Sequence, residues 1–360
     1  MKKIIIGSLF LVFPLLLNGQ SLQIEFDYQN LDQTLSILGK EKVDSVQLSN
    51  FLSLKGTKGL YRKIAANSLT TCLALLQAVE GRNPEKNYSD FQYIPIRNHL
   101  EGMENFRDKI KDNETVILDS LKSGLGPYLP KGTTRKVTIH FILGGYSSGF
   151  TLGGASDFYV GVQHYKGDLF SIINTCKHEL FHLIQDSHYN FTATNKLLEK
   201  RNPGMAYVHA LVSYLFYEGT AEFVADLHNY PREARHINEL REHMDVNKSR
   251  EEEVFYLIST SVVTIYEHPD DANFSNVYNI LFSWNWNNPA YFAGYKMTGT
   301  LTKEYGLEYL KKALRRDPVR FALDYTEIAK RSGKNLPLFT EEFTNVLHRL
   351  NKNIEEINQN

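Results

Sequence analysis

DLFSIINTCKHELFHLIQ, residues Asp168–Gln185, is the stretch on which the fold turns. Ile173, Cys176, Leu180, Leu183 and Ile184 recur at helical spacing with no proline or glycine between them, which predicts one largely buried helix. Within it lies His178-Glu179-Leu180-Phe181-His182. On a helix, positions i and i+4 share a face about one turn apart, so two imidazoles can converge on one ion. Glu179 is rotated by about 100° from His178, close enough to a coordinated water to take its proton but not placed as a ligand. Two histidines and a carboxylate at this spacing point to catalytic zinc, which lowers the pKa of a bound water to roughly 7. Such an ion usually has three protein ligands and one open position. A buried polar seam also needs partners from elsewhere in the chain.

Two residues compete for the third ligand position. His188 follows His182 by six residues, where the pattern H-E-x-x-H-x-x-G-x-x-H of the metzincins places its last histidine. The glycine that breaks the helix in that pattern is Gln185 here, which lacks glycine's freedom at positive φ, and no Met-turn can be assigned. The plain alternative for His188 is an exposed polar residue just past a helix end. The second candidate is Glu218, in Tyr217-Glu218-Gly219-Thr220-Ala221-Glu222-Phe223-Val224-Ala225-Asp226, delivered by an apolar helix predicted over Gly204–Tyr217. Tyr189–Pro203, between the two motifs, reads as a polar loop.

At these residues the chain resembles the gluzincins, the thermolysin-like metallopeptidases. The E-G-x-A-E form is similar to a segment of clostridial collagenases and, as N-E-G-x-A, of zinc aminopeptidases. The spacing from the H-E-x-x-H motif is longer than in thermolysin-like and aminopeptidase relatives and nearer the collagenase-like one. The resemblance implies one Zn2+ ion held by His178, His182 and Glu218, with Glu179 as general base. It also implies that Glu222, at i+4 from Glu218, hydrogen-bonds the outer nitrogen of the first histidine and so fixes its tautomer. From the residues alone, the two glutamates would otherwise be a solvated pair on a helix surface. Against that, Phe216, Ala221, Phe223 and Val224 around them read as core.

Later, Tyr291-Phe292-Ala293-Gly294-Tyr295 opens a segment that scans as a helix stopped at Gly306. It resembles the Y-x-x-G segment of gluzincin aminopeptidases, which implies that the Tyr291 hydroxyl, with Tyr295 as the alternative, stabilises the oxyanion. With 21 tyrosines in the chain, a packing role stays open for either.

Lys136–Leu143 alternates Val137, Ile139, Phe141 and Leu143 on one face, as a half-buried strand does, and Phe158–Val162 offers a second short strand. The Gly-rich segment Gly144–Gly154 between them lacks G-x-x-x-x-G-K-[ST], so it reads as a hairpin or substrate-edge loop and not as a phosphate loop. In gluzincins the edge strand of such a sheet binds extended peptide through backbone hydrogen bonds. Leu22–Tyr28 alternates like a strand. Leu31–Leu38, Leu60–Val79, Ile94–Leu121, Pro231–Met244, Glu251–His268 and stretches from Leu307 to Arg349 read as helices, with Gly124–Gly132 as a connection into the sheet. The expected class is α+β, a helix-rich zincin fold with a small sheet whose edge strand precedes the H-E-x-x-H helix.

Lys2 and Lys3 precede an apolar run from Ile4 to Leu17 that ends in Asn18-Gly19-Gln20. This pattern predicts a secretory signal peptide cleaved near Gly19 or Gln20, since the run is short for a membrane span. No later segment is apolar for long enough to span, so a secreted or periplasmic chain is expected. A net charge of −1 gives no electrostatic case for nucleic acid or an anionic membrane. Cys72 and Cys176 could pair in an oxidising compartment, but one pair is no disulfide scaffold, and Cys176 points away from the metal motif as a core residue. The expected organisation is a signal peptide over 1–20, a mainly helical region over 21–132, a gluzincin-like catalytic region over 133–310 and a helical C-terminal region over 311–360.

Over Ile139–Tyr305 the chain is similar to a group of exported zinc-dependent peptidases of gluzincin type. The expected function is hydrolysis of peptide bonds in a peptide or protein substrate. A catalytically silent zinc-binding interaction protein, or a zinc hydrolase of another amide or ester, would share these motifs, although only catalysis requires Glu179.

Overall fold

Alternating apolar residues at either end of the first 140 positions build the two longest strands, β1 (Ser21–Asp27) and β2 (Thr134–Ile142). The computed structural model describes residues 21–152, 156–332 and 336–359, so the signal segment expected over 1–20 lies outside the described residues. β2 pairs in parallel with β1, Ser21 opposite Thr134 and Asp27 opposite His140. On its other side it pairs in parallel with β4 (Asp157–Gly161), and β3 (Gly149–Thr151) lies antiparallel to β4 at the sheet edge. The order is β1-β2-β4-β3. The Gly-rich segment therefore supplies one arm of a hairpin, and that arm is the edge strand.

Between β1 and β2 the chain forms α1 (Gln29–Leu38), α2 (Ser45–Ser53), α3 (Lys55–Lys63), α4 (Ser68–Glu80), α5 (Tyr93–Asn98), α6 (Leu100–Asp112) and α7 (Glu114–Leu125). After the sheet come α8 (Leu169–His188), α9 (Phe191–Glu199), α10 (Pro203–Ala225), α11 (Arg235–Ser249), α12 (Glu251–Glu267) and α13 (Asp271–Phe282). α14 (Pro289–Tyr305), α15 (Leu307–Ala313), α16 (Pro318–Arg331) and α17 (Glu341–Asn358) complete the chain. This is the helix-rich α+β class with a small sheet. No described helix is long and apolar enough to cross a membrane. Cys72 and Cys176 are both free, and Cys176 is buried within α8.

Two local expectations are corrected. β2 is buried on both faces from Ile139 to Ile142: α1 and α3 pack against it, and on the neighbouring strands Gly59 of α3 meets Tyr159 of β4 while Thr175 and Glu179 of α8 lie against Gly149 of β3. His140 on the α3 side answers its burial by bonding Asp27 Oδ2 through Nδ1 at 2.7 Å. The second correction is α9, within the span expected to be a loop. Only Leu198 of its residues is buried, so the helix lies on the surface of the fold. The helix is held by an Asn190 cap on the Ala193 N–H and by Phe191 packed against Tyr214 and Tyr217.

α10 is the axis of the helical half. Pro203 occupies its first turn and Asn202 accepts the Met205 N–H, a preorganised start. The helix is apolar nearly all round and packs against α8, α9, α12, α14 and α16. Its approach to α14 is closest at two glycines. A Cβ on Gly219 would lie 2.2 Å from the backbone of Gly294, and one on Gly294 would lie 2.3 Å from the Leu215 carbonyl oxygen. Backbone against backbone leaves nothing flexible to yield, so only glycine fits at either place. These are the glycines of the E-G and Y-x-x-G segments, and their contact sets Glu218 and Tyr291 on facing helices.

Candidate metal centre

Asp168 caps α8 by accepting the Phe170 and Ser171 N–H groups, and the helix then runs unbroken through the H-E-x-x-H residues to His188. The i, i+4 spacing stands the two imidazoles edge to face, with centroids 4.6 Å apart. α10 crosses beside them and contributes Glu218. His178 Nε2 and His182 Nε2 are 3.0 Å apart, and Glu218 Oε2 lies 3.1 Å from the first and 3.3 Å from the second. These three are the described group of His, Cys, Asp and Glu side chains whose ligand atoms converge closely enough to hold a metal ion.

Hydrogen bonding on the far side of each ring determines what points at this convergence. Gln185 Nε2 donates to the Tyr217 carbonyl at 3.0 Å and to Thr220 Oγ1 at 2.7 Å. A carbonyl only accepts, so the amide oxygen of Gln185 must face His182, and His182 Nδ1, 2.7 Å away, must be the donor. Nε2 of the neutral ring then presents a lone pair. Glu222 Oε1 stands 3.6 Å from His178 Nδ1, a charge contact longer than a hydrogen bond, and favours the same tautomer there. Two imidazole lone pairs and a carboxylate oxygen thus meet within 3.3 Å. They repel unless a cation stands among them. Tetrahedral zinc with Zn–N of 2.0–2.1 Å separates its ligand atoms by about 3.3–3.4 Å, so the triangle fits that ion.

The electrostatics agree. Burial works against protonation of His182, yet the adjacent Glu218 carboxylate outweighs it and raises the pKa to about 9. His178 is likewise raised, its hydrogen bond to Glu218 overcoming burial. Burial tends to raise the Glu218 pKa, but the two histidines hold it well below the ordinary carboxylate range. The cluster is therefore stabilised by positive charge at its centre. Glu222 is 5% exposed with Oε2 unpartnered, and burial raises its pKa against the pull of His178.

Gln185 carries a role that its sequence position did not disclose. It fixes the His182 tautomer and ties α8 to α10 through one amide. Gln185→Leu keeps the volume and removes the acceptor, so the affinity for zinc, read by competition with a chromophoric chelator, is expected to fall about 10–100-fold.

Cavities flank the centre on both sides. One of about 210 Å3 is lined by Ser148, Gly149, Glu179, His236, Trp284 and Tyr291 among others. The other, about 430 Å3, adjoins His182 and Glu218 and reaches Thr151. β3 therefore runs from one cavity to the other. Gly149 allows this, since a Cβ there would lie 2.6 Å from Thr175 Cγ2 and 3.1 Å from Glu179 Oε1. Burial raises the pKa of Glu179, against the lowering influence of the two histidines.

The Tyr291 ring stacks on His178 with centroids 6.2 Å apart and planes 13° apart. Burial, followed by the Glu218 charge, raises its hydroxyl pKa far above the usual value. Tyr295 lies one turn on against Phe223 and His228 and lines neither cavity. His188 remains inside α8, where its Nε2 meets Thr133 Oγ1 at 3.0 Å. With Gln185 in place of glycine the helix does not break, and His188 is carried away from the centre.

The α+β fold sets an H-E-x-x-H helix beside a glutamate from a second helix, a donor set that could hold a metal ion. The family model described as "Putative zinc dependent peptidase (DUF5700)" matches residues 48–334, and the chain belongs to that family. No curated protein and no solved structure matches the chain.

Proposed function

We propose that the protein is an exported peptidase of gluzincin type that hydrolyses peptide bonds with one zinc ion held by His178, His182 and Glu218. The observation that carries this reading is the meeting of His178 Nε2, His182 Nε2 and Glu218 Oε2 within 3.3 Å. The ion, when bound, supplies Lewis acidity to a carbonyl and acidifies water. Glu179 accepts the proton of the attacking water and returns it to the leaving amine. Its burial suits the task, because a carboxyl with a raised pKa gains driving force for holding the proton. Tyr291, against His178 at the end of the smaller cavity, donates its hydroxyl to the developing oxyanion. Glu222 and Gln185 hold the two rings in register. An extended peptide lies along β3, pairing with the backbone of an edge strand that links the two cavities.

The zinc-loaded chain is expected to cleave members of a mixed peptide library. Treatment with chelator should abolish cleavage and added zinc should restore it. Cleavage that persists in the metal-free chain would rule the reading out.

A further inference from the structure

The larger cavity contains a carboxylate that the metal centre does not use. Asp186 follows His182 by four residues, so one face of α8 presents His178, His182 and Asp186 in successive turns. Around it stand Tyr189, Phe191, Tyr214 and Tyr217. Asp186 Oδ1 accepts the Tyr217 hydroxyl, and among the described residues no lysine or arginine pairs with its carboxylate. A half-buried carboxylate among aromatic rings is costly until a cation joins it. The same rings attract a cation placed within about 6 Å of their faces. The smaller cavity across the centre differs, its carboxylates being Glu179 beside the reacting bond and Glu222 behind His178.

We propose that the cavity bounded by Tyr189, Phe191, Tyr214 and Tyr217 takes a positively charged group of the substrate, an ammonium or guanidinium, with Asp186 as its counter-ion. This names a substrate class for the site and rests on the peptidase reading. A peptide can supply the charge as its N-terminal amine or as a lysine or arginine side chain. Either is flat or slim enough to slide between aromatic walls, and either would reach a carboxylate one helical turn from a metal ligand.

The test compares peptides that differ only in that group: lysine or arginine against norleucine, each with a free and an acetylated N-terminus. Two quantities are read, the ratio of kcat/KM on the zinc-loaded chain and the ratio of dissociation constants on the zinc-loaded Glu179→Gln chain. Charged peptides are expected to be favoured by about tenfold or more in both. Asp186→Asn, nearly isosteric, should bring the ratios close to one, and Tyr217→Phe, which keeps the carboxylate, should preserve them. Loss of the preference on acetylation assigns the charge to the amine, and its persistence with lysine or arginine assigns it to the side chain.

Ratios near one in the unaltered chain, or unchanged in Asp186→Asn, would overturn the proposal. A preference lost equally in Tyr217→Phe would also overturn it, making Asp186 a prop for the ring that stacks on His182. If charged peptides bind preferentially but none is cleaved, the peptidase reading fails and the cavity assignment stands.

Discussion

Glu179→Gln is expected to retain zinc at about one ion per chain and to lose peptide hydrolysis by about 1,000-fold in kcat/KM. Glutamine preserves the shape of the side chain but has no basic oxygen for the proton of water. Glu179 contributes no atom to the ligand triangle, so the metal should stay. The substitution leaves the volume of the side chain beside Gly149 unchanged, so folding should be little changed. The two readings are separable by metal analysis and steady-state kinetics on one preparation. Hydrolysis within a few-fold of the unaltered chain would remove Glu179 from the role of base.

Glu218→Ala acts on the metal. Without its carboxylate two imidazole lone pairs remain, 3.0 Å apart, with no anion to complete a three-ligand site. Zinc content after dialysis is expected to fall from about one per chain to less than about a tenth. Metal that binds only the folded state stabilises it by about 4 kcal/mol at a thousandfold excess over Kd. Chelator should therefore lower the melting temperature of the unaltered chain and leave that of Glu218→Ala unmoved. Glu218→Gln, which keeps the volume within α10, distinguishes lost ligation from a cavity. Zinc content unchanged in both variants would take Glu218 out of the site.

The first half of the centre was legible because H-E-x-x-H places two imidazoles and a carboxylate within a turn and a half of one helix. Periodicity around it also located α8 to within three residues at its end. The second half was legible only through a resemblance. Nothing local to Glu218 announces a ligand, and what distinguishes it is the adjoining Gly219, whose purpose is visible only when α14 lies across it at Gly294. The same contact accounts for the glycine three residues after Tyr291.

Gln185 and Asp186 were opaque for a different reason. In the chain they are polar residues near a helix end, and their roles come from Tyr217 and Thr220, which are 31 to 35 positions away. Gln185 in particular reads in one dimension as a glycine that is missing, whereas in the fold it orients His182. α9 escaped because it is short and mostly polar, and the rings that receive its Phe191, Tyr214 and Tyr217, lie on another helix more than twenty positions on. The double burial of β2 escaped because helices that cover it, α1 and α3, lie far upstream in the chain.

The central claim is that a single ion sits among His178 Nε2, His182 Nε2 and Glu218 Oε2. Crystals of the purified protein, measured on both sides of the zinc absorption edge, address it directly. One anomalous peak within about 2.0–2.2 Å of all three atoms, present above the edge and lost below it, is the predicted result. No peak there in protein grown with zinc, or a peak held instead by His188, would contradict it.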